Sequence, residues 1–186
     1  MASSWQVILA GEGGQGLVVA GVILGEAAML EELNAAHTAA YGIASRGGFT
    51  KSEIVIDDQD IPYPGVEEPS VVMALTQGAF DRYDQVVPET CQLIFDADFA
   101  EGKRGTGKRF KLPICRTRHQ AMKDMKEMGG SEGSIPLNLM CLGILAGVTG
   151  IVQLESLEKA VEKKFQKGFE KNQQALRLGF ELTKSI

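Results

Sequence analysis

The stretch Gln6-Val-Ile-Leu-Ala-Gly-Glu-Gly-Gly-Gln-Gly-Leu17 constrains this chain more than any other. An apolar run stops at four glycines, Gly11, Gly13, Gly14 and Gly16, and a run of small and apolar residues follows. That order reads as strand, tight turn and helix start. The spacing Gly11-x-Gly13-x-x-Gly16 matches the phosphate-binding turn of nucleotide folds. Glycine suits such a turn because it accepts positive φ and lets a ligand approach bare backbone. The amides that open the next helix then present the positive end of its dipole. A dinucleotide site also needs an acid at the end of the second strand for the ribose. The region 34–41 has none, and Glu31 and Glu32 fall too early. Ordinary NAD or FAD binding is therefore disfavoured. A structural turn without a ligand is the plain alternative, and the turn alone does not decide between the two.

Strands are expected at 5–10, 34–41 (a weak one), 49–56, 70–75, 91–96 and 110–115. Helices are expected at 15–33, 77–84, 117–128, 135–148, 153–167 and 169–184. Leu17, Gly21, Gly25 and Ala28 share a face of the first helix. Two glycines on it suit very close packing on a sheet or another subunit. Ser134 is expected to cap the apolar helix, with Pro136 in its first turn. The alternation predicts an α/β fold, a three-layer Rossmann-like domain. Its sheet is mostly parallel or mixed, its C-terminal third is helical, and it forms one domain over 1–186.

The totals narrow the class. A chain of 186 residues with 44% apolar and 23% charged residues is long enough for a real core. A net charge of −5 gives no electrostatic case for nucleic acid or an anionic membrane. Cys91, Cys115 and Cys141 are scattered and form no C-x-x-C pair. They suggest neither a disulfide framework nor a metal or iron–sulfur site in this chain alone, so a reducing, cytoplasmic setting fits. The first residues lack the basic region of a signal peptide. The long uncharged run Ile135–Leu154 is interrupted by Pro136, Asn138 and several glycines. A buried helix and turn account for it better than a membrane span.

Further segments carry possible chemistry. Tyr41-Gly-Ile-Ala-Ser45-Arg46-Gly47-Gly48 sets an arginine among glycines in a loop. Its planar fork suits a carboxylate, a phosphate or an acidic side chain of a partner. An ordinary surface turn is the alternative. Gly102-Lys-Arg-Gly-Thr-Gly-Lys108-Arg109 nearly spells a P-loop, but Arg109 stands where Ser or Thr should be and a strand follows. What remains is a basic cluster of Lys103, Arg104, Lys108, Arg109 and Lys111, read as a solvated hairpin tip. His37 and His119 stand alone and read as structural. Met122, Met125 and Met128 read as core or interface. Asn138 and Asn172 read as structural polar pins between helices or against the glycine turn.

Taken together, these segments resemble the gamma subunit, or gamma domain, of the 2-oxoacid:ferredoxin oxidoreductases. The matching pieces are Gly11-Glu-Gly-Gly-Gln-Gly16, Tyr41-Gly-Ile-Ala-Ser-Arg-Gly-Gly48, Ile61-Pro-Tyr-Pro and Pro69-Ser-Val-Val-Met-Ala. Then come Pro136-Leu-Asn138-x-x-x-Leu-Gly143 and Asn172-x-x-Ala-x-x-x-Gly179-Phe. Together they cover nearly the whole chain in order. The chain departs from the family pattern at Ile43 and Ala44, where Pro-Glu is common. It departs also at Ser70, where Asp is usual, and at Glu12, where an apolar residue is.

The resemblance implies a subunit of an enzyme that converts a 2-oxoacid, coenzyme A and oxidised ferredoxin into acyl-CoA, CO₂ and reduced ferredoxin. Thiamine diphosphate, Mg²⁺ and iron–sulfur clusters are then expected on alpha, beta and possibly delta partner subunits, and none on this chain. No catalytic residue or metal ligand is expected here. The residues expected near coenzyme A or at a subunit interface are Gly11, Gly13, Gly14, Gln15, Gly16, Tyr41, Ser45, Arg46, Gly47 and Gly48. A homodimer is expected when the chain is isolated, and neither nucleic acid nor membrane is an expected partner. The substrate leans to 2-oxoglutarate, with pyruvate, branched-chain oxoacids and indolepyruvate also open. The other reading is a free-standing nucleotide-binding α/β module without redox activity.

Overall fold

The computed structural model describes residues 4–41, 48–102, 105–127, 134–165 and 168–186, without the side chain of Tyr41. Six strands form one mixed sheet: β1 (Trp5–Glu12), β2 (Asn34–Tyr41), β3 (Phe49–Asp57), β4 (Val71–Ala74), β5 (Gln92–Asp96) and β6 (Lys108–Leu112). The helices are α1 (Leu17–Leu30), α2 (Gln77–Tyr83), α3 (Ile114–Glu127), α4 (Leu137–Thr149), α5 (Leu154–Lys164) and α6 (Phe169–Leu182). A short 3₁₀ turn, Thr183–Ser185, follows α6.

The strand order is β2-β3-β1-β4-β5-β6. β1, β4, β5 and β6 run parallel, and β3 is antiparallel to both β1 and β2. The expected unit of β1, α1 and β2 is present, but β3 is inserted between its two strands. β1 is apolar without a break from Val7 to Ala10 because both its faces are covered there. Val7 and Leu9 join the core beneath α1, α4, α5 and α6, and Ile8 and Ala10 join a second core under α2. Two helical layers thus enclose the sheet, heavy on one face and thin on the other.

α1 is shorter than its pattern suggests. Gly16, at φ 75°, precedes its first turn, and Glu32, at φ 63°, ends it. Its glycine face packs on the sheet: a Cβ on Gly21 would lie 2.2 Å from Ser52 Oγ and 2.6 Å from His37 Nε2. The methionines Met122 and Met125 of α3 pack on the main core, and Met128 lies outside the described residues.

Three local expectations are corrected. The strand expected at 110–115 covers Lys108–Leu112, and Ile114 and Cys115 already belong to α3. The side chains that receive the first amides of α3 come from elsewhere: Asp96 Oδ2 accepts from Cys115 N, and Asp98 Oδ2 from Arg116 N, both at 3.0 Å. Ser134 does not cap α4, whose N-cap is Pro136. Its hydroxyl instead accepts from Arg118 Nη2 at 2.8 Å. Arg109 is no part of a solvated tip. Its side chain is buried, with Nε donating to Asp84 Oδ1 at 2.7 Å and Nη2 to Asp84 O at 2.8 Å. Lys103 and Arg104 lie outside the described residues. Among the described residues, no helix is long and apolar enough to cross a membrane.

Candidate functional site

The glycine turn stands at the carboxyl ends of the parallel strands. Gln15 N donates to Glu12 O at 3.2 Å and closes the turn. The Gln15 side chain folds back so that its Oε1 accepts from Glu12 N at 2.8 Å. It fills the space over Gly11, where a Cβ would lie 2.0 Å from Oε1. Gly14, at φ 98°, is exposed, and no atom comes within 4 Å of the place a Cβ would take. The turn is therefore held from inside and bare outside. The Glu12 side chain is exposed at its rim.

Gly16 is pinned from the helical layer. Asn138 Nδ2, in the first turn of α4, donates to Gly16 O at 3.3 Å. Ala20 N donates to the same carbonyl at 3.0 Å, the first bond of α1. No side chain caps α1 and no acid stands in its first turn, so its leading amides are satisfied by nothing within the helix. Two other helices that start at this end, α2 and α3, are already served. Thr76 Oγ1 accepts from Ala79 N at the start of α2, and Asp96 and Asp98 serve α3. Asn172 lies apart, half-buried in the first turn of α6, where its N–H donates to Gly168 O at 3.2 Å.

The second glycine segment comes to the same place because β3 is inserted beside β1. Gly13 N donates to Gly48 O at 2.9 Å. Thr50 is paired on one side with Gly11 and on the other with Tyr41. Both ends of the segment that carries Arg46 are thus fixed next to the glycine turn. Ser45, Arg46 and Gly47 lie outside the described residues, as does the Tyr41 side chain.

Sequence reasoning did not find Arg82. Its guanidinium carbon sits 4.0 Å from the centre of the Phe49 ring. Phe49 pairs with Glu12 across the two strands, so Arg82 stands beside the glycine turn. No spacing along the chain signals this contact, since 33 positions separate the two residues. Half-buried His37 and buried Ser52 form a polar pair at 2.8 Å beneath α1, and partial burial holds the His37 pKa below its ordinary 6.5.

The three cysteines face other demands. Burial pushes Cys91 up to about 11 and Cys115 up to about 12, and raises Cys141 further. These thiols stay protonated at neutral pH and are poor nucleophiles there. Among the described residues, no group of three or more His, Cys, Asp or Glu could hold a metal ion.

Comparison with known proteins gives this geometry its family. The family model for pyruvate ferredoxin/flavodoxin oxidoreductase matches residues 6–182. The 2-oxoglutarate synthase subunit KorC of Methanocaldococcus jannaschii is 35% identical, over 97% of this chain and 95% of that protein. The crystal structure of the keto/oxoacid ferredoxin oxidoreductase gamma subunit from Geobacter sulfurreducens is 30% identical. It superposes with a TM-score of 0.78 over 98% of each chain. The 2-oxoglutarate:ferredoxin oxidoreductase of Magnetococcus marinus shares the fold, with a TM-score of 0.79 at 18% identity. There the match spans 98% of this chain and 31% of that one. These likenesses support an oxidoreductase subunit and not a free-standing nucleotide module. The chain belongs to the pyruvate ferredoxin/flavodoxin oxidoreductase family, as a chain of the gamma-subunit type.

Proposed function

We propose that this chain works as the gamma subunit of a 2-oxoglutarate:ferredoxin oxidoreductase, one domain over residues 1–186 that acts only within the assembled complex. The complex joins the acyl group of the 2-oxoacid to the sulfur of coenzyme A, releases CO₂ and passes the electrons to ferredoxin. The alpha and beta subunits, with a delta subunit where there is one, supply thiamine diphosphate, Mg²⁺ and the iron–sulfur clusters. Likeness to a 2-oxoglutarate synthase subunit supports that substrate over the other oxoacids. The chain is placed in the cytoplasm and, purified alone, forms an inactive homodimer.

Within this role, the glycine turn and the Arg46 segment shape one edge of the site at a subunit boundary and steer anionic coenzyme A. The observation that carries the reading is the 2.9 Å hydrogen bond from Gly13 N to Gly48 O, which ties the two segments together. Uncapped amides of α1 and a bare Gly14 supply neutral donors and close approach. Arg46 supplies the positive charge. Asn138 and Gln15 keep the turn in shape.

The test is Arg46→Ala in the assembled, co-purified complex. The expected result is a raised KM for coenzyme A or weakened assembly. If neither changes, Arg46 has no part in the site.

A further inference from the structure

We propose that Arg82 is a second anion-recognition residue of this site, contacting a phosphate of coenzyme A. The proposal rests on the reading that the glycine turn faces coenzyme A. Arg82 is exposed on α2, and among the described residues it makes no ion pair and donates no hydrogen bond. Most long cations that face water sample many rotamers. This one is held over an aromatic face, 4.0 Å from the Phe49 centroid. Such stacking restrains the guanidinium plane and leaves its N–H edge free, the edge that grips a phosphate.

The position matters as much as the posture. Phe49 opens β3, directly after Gly48, whose carbonyl accepts from Gly13 N. In the same register Phe49 faces Glu12, the exposed acid at the rim of the turn. A lone carboxylate there would repel a phosphate. Arg82 offsets it from the neighbouring element. The sheet adds a topological reason. α1 leaves β1 toward one face and α2 leaves β4 toward the other, while β1 and β4 are parallel neighbours. Their carboxyl ends therefore form the switch point at which α/β sheets bind ligands. The glycine turn provides one wall and α2, with Arg82, the other. A helix-dipole role at the end of α2 would explain a basic residue there. It would not explain the seat on a strand two elements away.

The experiment uses the assembled complex carrying Arg82→Ala, Arg82→Lys or Phe49→Leu. KM for coenzyme A and for the 2-oxoacid is measured, with calorimetric binding of coenzyme A and assembly by size exclusion. Arg82→Ala is expected to raise KM and Kd for coenzyme A about tenfold, the worth of one charge-assisted hydrogen bond. The 2-oxoacid KM should stay within about twofold, because only the phosphate contact is lost. Arg82→Lys should recover part of the loss, and Phe49→Leu should give a smaller change in the same direction. Unchanged KM and Kd in Arg82→Ala overturn the proposal. So does a loss of assembly, which would assign Arg82 to an acidic surface of a partner subunit. Arg46→Ala separates the two readings. If it weakens coenzyme A binding and Arg82→Ala does not, only the role of Arg82 falls. If neither does, and Arg46→Ala also leaves assembly intact, the reading of the site falls with it.

Discussion

Gly143 of α4 and Gly179 of α6 exclude side chains reciprocally. A Cβ on Gly143 would lie 1.9 Å from Leu176 O, and one on Gly179 would lie 1.9 Å from Met140 O. Each helix presses its backbone into the gap left by the other's missing side chain. Helix propensity alone would favour alanine at either position by about 1 kcal/mol. Gly143→Ala and Gly179→Ala are nevertheless expected to destabilise by about 1–3 kcal/mol, because the obstacle is a carbonyl and the axes must part. Gly147→Ala should cost less, since its obstacle is the Thr183 side chain, with Oγ1 at 2.2 Å. Denaturant midpoints of the three variants check the ranking, and an unharmed Gly143→Ala would contradict the close crossing.

Gly14 and Gly16 separate strain from crowding. Both have positive φ, 98° and 75°. At Gly14 the space is open, so Gly14→Ala is expected to cost only the conformational strain, about 1–2 kcal/mol. At Gly16 a Cβ would also come within 2.9 Å of Asn138 Nδ2. Gly16→Ala should therefore cost more and displace the amide that holds the turn. The double variant Gly16→Ala, Asn138→Ala should recover part of the extra loss in thermal melts.

The buried pair Asp84 and Arg109 should tolerate removal of both partners better than removal of one. Asp84 also accepts from Gly105 N at 3.0 Å. Asp84→Ala leaves a buried guanidinium uncompensated and is expected to cost about 3–5 kcal/mol. Pairing it with Arg109→Met should restore much of this. A double-mutant cycle by chemical unfolding measures the coupling.

His37 makes stability fall with acidification. Its folded pKa lies below 6.5 because burial disfavours the charged ring. Between 6.5 and that lower value the unfolded chain binds the proton and the folded chain does not. Stability therefore drops as pH falls through this window and levels off below it. His37→Gln should flatten that part of a stability-versus-pH curve. If wild type is already flat there, the ring is not desolvated as described.

Much of this was readable from residue order, and the limits have physical causes. The apolar run of β1, the glycines after it and the small residues of α1 state strand, turn and helix directly. Even the alanine-rich Asn34–Tyr41 stretch forms the strand expected of it, over the same residues. The sheet, expected to be mostly parallel or mixed, is mixed. Periodicity says that a strand exists but not what lies beside it. The insertion of β3 between β1 and β2, and so the bond from Gly13 to Gly48, could not be read from any pattern. Arg109 looked solvated because its neighbours are basic, and its partner Asp84 lies 25 positions away. The start of α3 was misplaced for a similar reason, since the acids that receive its amides belong to β5 and the turn after it. Arg82 carried no signal at all, because its seat depends on α2 crossing toward β3.

The two rims of the sheet differ in a way that bears on handling the protein. β6 presents Lys108 and Lys111 to solvent, charges that discourage another chain from zipping on. β2 is the opposite rim, and its eight residues include no Lys, Arg, Asp or Glu. An unguarded rim of that length invites strand exchange and self-association at high concentration. Produced without its partners, the chain should therefore aggregate from the β2 side, and a single lysine at Ala36 would be the economical remedy.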